Sequence, residues 1–70
     1  MKNYNKAIGE ALKKARLDKG YSLRKSAELL GVDHSTIGKW ESGANNILAV
    51  DLINYLQILN VNLEDFIKQF

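Results

Sequence analysis

The stretch Ser22-Leu23-Arg24-Lys25-Ser26-Ala27-Glu28-Leu29-Leu30-Gly31 runs without a gap into Val32-Asp33-His34-Ser35-Thr36-Ile37-Gly38-Lys39-Trp40-Glu41-Ser42-Gly43. Leu23, Ala27 and Leu30 recur at i, i+4 and i+7, which puts them on one stripe of a helix and leaves Arg24, Lys25 and Glu28 outside it. Ser22 can accept a hydrogen bond from the first turn of that helix, and Gly31 can close it in the left-handed conformation. Only Val32 and Asp33 separate it from a second helix, with Asp33 as the expected N-cap and Gly43 as the terminator. Two short helices joined by so brief a turn must cross at a steep angle.

That arrangement is the outline of a helix-turn-helix, in which the second helix is held out far enough to enter the major groove of DNA. The flanking sequence supplies the helices to support it. Upstream, residues 5–19 place Ile8, Ala11, Leu12 and Ala15 on one face and Lys6, Glu10, Lys13 and Lys14 on the other, and Gly20 ends the pattern. Tyr21 follows as an expected core plug. Downstream of the polar loop Ala44-Asn45-Asn46, a fourth helix is predicted over 48–59, with Asn60 as its left-handed cap. Asn62, with Asp65 three residues later, then caps a last helix predicted to run through Phe70. There is no strand pattern, proline, repeat or linker. The reading is an all-α fold, a compact five-helix domain spanning 1–70 with the helix-turn-helix at helices 2 and 3.

Seventy residues bury a small share of their surface, so a stability of about a few kcal/mol is expected. The absence of cysteine removes disulfides, thiolate metal sites and thiol catalysis, and His34 is the one histidine, so neither a metal nor any cofactor is expected. No apolar run approaches the roughly 20 residues of a membrane helix, and Met1-Lys2-Asn3-Tyr4-Asn5-Lys6 leads into an amphipathic pattern rather than a signal core. A cytoplasmic protein is expected. The net charge of +2 is unevenly placed: residues 1–39 hold nine Lys or Arg against four Asp or Glu, and residues 40–70 hold one against four. The first part is the candidate for a polyanion, although solvated lysines on helix 1 account for the same asymmetry.

At 100° per residue, Ile37, Trp40 and Glu41 share one side of helix 3, and Ser35, Lys39 and Ser42 share the other with Gly38 beside them. A helix that lies on base edges needs small groups for close approach and a few reaching donors. Lys39 can donate to guanine, Ser35 can bond several bases, and His34 sits at the helix tip, where a reader or phosphate ligand belongs. The competing reading of His34 is a plain surface histidine. Thr36 and Ser42 can hold phosphate oxygens, Asn45 lies in the loop beyond, and Arg24 reinforces the positive N-terminus of helix 2. Each small polar residue could equally be a solvated group; the inference rests on their sharing a face. Trp40, opposite Ser35, is assigned to the core rather than to base stacking. Asp33, His34 and Ser35 carry the residue types of a catalytic triad, but neighbours 100° apart cannot form a relay, so no enzyme is expected.

These residues resemble the Cro and phage-repressor-like, or XRE-like, helix-turn-helix family, whose fold is lambda-repressor-like. The resemblance runs from about residue 8 to 66 and rests on Ile8-Gly9-Glu10, Arg16, Gly20-Tyr21-Ser22, Ala27, Leu30-Gly31-Val32, Ser35-Thr36-Ile37, Trp40-Glu41-Ser42-Gly43 and Leu59-Asn60-Val61-Asn62-Leu63. It implies a buried ion pair between Arg16 and Glu41, and base-reading positions at His34, Ser35, Gly38 and Lys39. Three departures stand out. Leu23 replaces a glutamine that often braces phosphate, Ser26 replaces a larger aliphatic and suggests looser packing, and Ala44-Asn45-Asn46 lacks the usual basic residues and proline. The last suggests weaker, less salt-sensitive phosphate binding.

Residues 47–70 carry 15 apolar residues out of 24, more than one small core can cover. Helix 4 leaves only a narrow polar stripe of Asp51, Asn54 and Gln57, so a surface made by Tyr55, Ile58, Phe66 and Phe70 is expected to form a two-fold homodimer interface. The functional expectation is a sequence-specific DNA-binding transcriptional regulator, most simply a repressor, on an inverted-repeat operator in double-stranded DNA. The alternative is an antitoxin-like protein-interaction module that turns its apolar C-terminal helices to a protein partner.

Overall fold

A computed structural model describes residues 4–70; Met1, Lys2 and Asn3, read above as the lead into the first helix, lie outside them. Five helices follow one another: α1 Asn5–Lys19, α2 Leu23–Leu30, α3 His34–Ser42, α4 Ala49–Ile58 and α5 Leu63–Ile67. No strand occurs among the described residues. The first three helices stop where the sequence places their ends, because Gly20, Gly31 and Gly43 take positive φ and return their amide hydrogens to the preceding turn, as Asn60 does just past the fourth. At Gly43 that freedom is doubly required, since a Cβ there would lie 2.8 Å from the Lys6 Cα.

Three details differ from the sequence pattern. The fourth helix starts one residue later and stops one earlier than predicted. The last ends at Ile67 rather than Phe70, because the chain tightens into i to i+3 bonds, Gln69 N–H to Phe66 O and Phe70 N–H to Ile67 O. That final turn swings the Phe70 ring to 5.5 Å from Phe66 and 6.4 Å from Tyr4. Asp33 holds the N-cap position of α3 in extended backbone but makes no side-chain cap bond; its Oδ2 accepts from the Ser35 hydroxyl at 2.9 Å instead. A hydroxyl donor within reach has taken the carboxylate that the helix amides were expected to hold.

Leu12, Ala27, Ile37, Trp40, Tyr55, Leu56, Leu59 and Phe66 form the core, to which every helix contributes. Tyr21 packs against its edge, half-buried. α3 lies against both α1 and α2, and α4 closes over α2. α1 comes so near α3 that a Cβ on Gly9 would sit 2.4 Å from the Trp40 carbonyl oxygen and 2.5 Å from that of Glu41.

The packing corrects the expected dimer surface. Tyr55 and Phe66 are buried in the core and Ile58 is half-buried, so of that set only Phe70 remains exposed. The inner face of α4 is Tyr55 and Leu56, continued by Leu59 just past its end, which turns Val50 and Ile53 outward beside Asn54 and Gln57. The polar stripe predicted for α4 is therefore interrupted by apolar side chains, and Asp51 is partly covered. Ser26, which stands where a larger aliphatic is usual, is fully buried.

Candidate nucleic-acid interface

α3 divides sharply into two edges. Ile37 is 0% exposed and Trp40 7%, while Ser35, Lys39 and Ser42 are exposed along the opposite edge. Gly38 lies between them with nothing within 4 Å of where a Cβ would be, so this edge is open to an incoming surface. The structure thus brings Ser35, Gly38, Lys39 and Ser42 together. Ser42 is partly occupied by the helix end, its hydroxyl donating to the Lys39 carbonyl at 3.1 Å and accepting from the Ala44 amide at 3.4 Å.

Around the tip of α3 the arrangement is electrostatic. His34 is exposed, and its Nδ1 lies 3.3 Å from Asp33 Oδ1. The Ser35 hydrogen bond holds the Asp33 carboxyl below the usual carboxylate range, so it is an anion throughout the neutral region. Arg24 and His34 line one open groove with Glu28, Val32 and Asp33, so the two candidates from different helices face the same space. Ser22 caps α2 by accepting from the Lys25 amide at 3.0 Å, which leaves the Leu23 and Arg24 amides without a partner among the described residues. Those amides and the Arg24 side chain together suit an anionic oxygen. Thr36 is half-buried at the margin of the face, and Asn45 is exposed in the loop past Gly43. Its neighbour Asn46 accepts a hydrogen bond from Asn5, tying that loop to the start of α1.

Lys13 joins the site from α1, where the sequence placed it on a merely solvated face. It lines a second groove with Leu23, Gly38 and Ser42, whose floor is Arg16 and Glu41. Nothing in the periodicity of α1 marks Lys13 apart from Lys14; only the crossing of α1 over α3 does so.

Beneath the site the expected ion pair is present. Arg16 Nε donates to Glu41 Oε2 at 2.7 Å and a terminal guanidinium nitrogen to Oε1 at 2.9 Å, with the two side chains 7% and 5% exposed. The other terminal nitrogen donates to the Tyr21 carbonyl at 2.7 Å. The Glu41 hydrogen bond raises the Arg16 pKa further above its already high value, so the guanidinium stays charged. Tyr55 completes it from α4, donating its hydroxyl to Glu41 Oε2 at 2.6 Å. Burial, then Glu41, pushes the Tyr55 phenol well above its ordinary pKa.

A helix gripped by the domain on one side and bare, small and polar on the other is the geometry of a helix-turn-helix DNA-binding module. The sequence profile of the helix-turn-helix family matches residues 12–66. The chain belongs to the XRE-type helix-turn-helix family of transcription regulators. It is 37% identical over 61 residues to YonR of Bacillus subtilis strain 168, described as an uncharacterized SPbeta prophage-derived HTH-type transcriptional regulator. The match takes in 87% of this chain and 56% of YonR, so the chain spans little more than half the length of that relative. Two crystal structures of the clp gene regulator ClgR from Corynebacterium glutamicum superpose with a TM-score of 0.87 at 28% identity. They cover 91% of this chain and 82% and 68% of theirs. Among the described residues no helix is long and apolar enough to cross a membrane, and no group of three acidic or histidine side chains could hold a metal.

Proposed function

We propose that this chain is a sequence-specific, DNA-binding transcriptional regulator, a repressor in its simplest form, acting in the cytoplasm by occluding a promoter. The observation that carries the reading is the bare edge of α3 at Ser35, Gly38 and Lys39, opposite a fully buried Ile37. In the major groove, Lys39 donates to guanine acceptors, and Ser35 and His34 reach base edges from the helix tip. Gly38 lets the backbone approach. Arg24, Thr36, Ser42 and Asn45, with Lys13 added by the fold, bind phosphates and set register without reading sequence.

A second copy doubles the reading. Val50 and Ile67 are 60% and 56% exposed, with Leu48, Ile53, Leu63 and Phe70 also on the surface of α4 and α5 or just outside them. A two-fold dimer through this surface would set two α3 helices about one DNA turn apart, roughly 34 Å, and select an inverted repeat. The same apolar surface supports the second reading, a protein-interaction module of the antitoxin kind. Selection from a randomised duplex library at two salt concentrations separates them. A reader enriches a defined sequence, and Lys39→Ala relaxes one base position by about 1–3 kcal/mol. Binding without sequence preference overturns the first reading.

A further inference from the structure

Tyr55 has no place in the face described above, yet it is fully buried and its hydroxyl meets the carboxylate that anchors α3. Glu41 lies on the last turn of that helix, two residues from Lys39 and next to Ser42. Its oxygens are pulled from two directions. Arg16 holds both from α1, and Tyr55 holds Oε2 from α4. Without the phenol hydroxyl, the Glu41 carboxylate is held by α1 alone, and on the α4 side the tilted ring contact between Trp40 and Tyr55 at 6.1 Å carries no hydrogen bond to it.

A second buried polar group, from α2, lies beside this link. Ser26 is fully buried and its hydroxyl satisfies no hydrogen bond, although it lies near enough to the Tyr55 hydroxyl to act on its ionisation. A small side chain at a deeply buried helix position, with an unsatisfied oxygen, is poor packing taken alone. Its closeness to the Tyr55 hydroxyl gives the small side chain a use, because a larger one would compete with the phenol for that space.

We propose that Tyr55 is a positioning residue for DNA reading: its hydroxyl, beside Ser26, sets the orientation of α3 through Glu41. The proposal rests on the DNA-reading function above. It makes a distinction that loss of stability alone does not. Loss of folded protein lowers specific and non-specific DNA affinity together, whereas a misoriented α3 loses base contacts and keeps its phosphate contacts.

The test compares the wild-type chain with Tyr55→Phe on the selected operator and on an unrelated duplex, at a temperature where both proteins are folded by circular dichroism. The expected result is a drop in operator affinity of roughly tenfold, the scale of one lost base contact, with unrelated-duplex affinity and its salt slope unchanged. Should Tyr55→Phe not fold, the double exchange S26L/Y55I keeps the core filled without the hydroxyl and is expected to show the same selective loss. Equal losses on both duplexes, or none, overturn the proposal. If the wild type shows no preferred sequence, the parent reading has failed, and amide hydrogen exchange in the free protein decides this one. Faster exchange confined to residues 37–42 of the variant sustains the positioning role, and a uniform or absent change overturns it.

Discussion

Replacing Gly9 by alanine sets two opposing effects against each other on one helix. In the interior of an ordinary helix the exchange stabilises by about 1 kcal/mol, because alanine loses less conformational freedom than glycine. Here the new methyl would lie 2.4 Å and 2.5 Å from two carbonyl oxygens of α3 and 2.8 Å from a carbonyl carbon. Close carbon-to-oxygen contacts settle no nearer than about 3.3 Å, so α1 must retreat by roughly 1 Å. Those oxygens belong to the backbone of Trp40 and Glu41 and cannot swing aside. The retreat would stretch the Arg16 bonds to Glu41, now 2.7 and 2.9 Å, beyond hydrogen-bonding range. Overpacking costs about 1–3 kcal/mol, and each weakened charged hydrogen bond forfeits part of about 1.5–3 kcal/mol. The net expectation is a loss of about 3 kcal/mol, enough to unfold much of a domain this small. Gly38→Ala is the control, since its methyl meets nothing and should stabilise by about 0.5–1 kcal/mol. Urea unfolding followed by Trp40 fluorescence and far-ultraviolet circular dichroism measures both. Equal stability of the two variants would refute the close-approach argument.

Other outcomes follow from the same contacts. Arg16→Met strands the buried Glu41 carboxylate and should cost about 3–5 kcal/mol in urea unfolding. Because the folded-state pKa of Tyr55 is raised, its contribution to stability is complete below pH 10, where the unfolded phenol is still protonated, and is lost as the pH rises further. Wild-type unfolding midpoints measured from pH 9 to 11.5 should fall, with up to about 1.4 kcal/mol per pH unit of slope that Tyr55→Phe lacks. With the proposed dimer, the wild-type chain should sediment as a dimer at micromolar concentration and Ile53→Lys as a monomer that keeps its helical circular dichroism, since Ile53 is exposed. Gly38→Ala, despite its added stability, should weaken operator binding in the same titration used for Lys39→Ala, because the methyl occupies the approach to the groove.

What the sequence made legible is what local chemistry decides. Three glycines and Asn60 mark helix ends because positive φ is a property of single residues, and Ile37 against Ser35 is visible because helical spacing sorts them. The burial of Tyr55 and Phe66 was not legible, since helix 4 is apolar over most of its circumference and only its docking over α2 selects an inner face. Asp33 holds the N-cap position the sequence assigns it, but the partner of its carboxylate was not legible, because a serine hydroxyl two residues on competes with the helix amides. Of the site, the α3 edge could be drawn from periodicity alone, but Lys13 and the Tyr55 link arise from helices crossing at points the spacing does not encode.

The separation of the two edges of α3 bears on how such a chain changes over time. Ser35, Gly38 and Lys39 lie outside the core, so altering them leaves the interior of the domain untouched. If that rim reads DNA as proposed, a lineage could retarget the protein to a new stretch of genome by swapping a few letters there, while the crowding around Trp40, Glu41 and Gly9 leaves those positions little freedom.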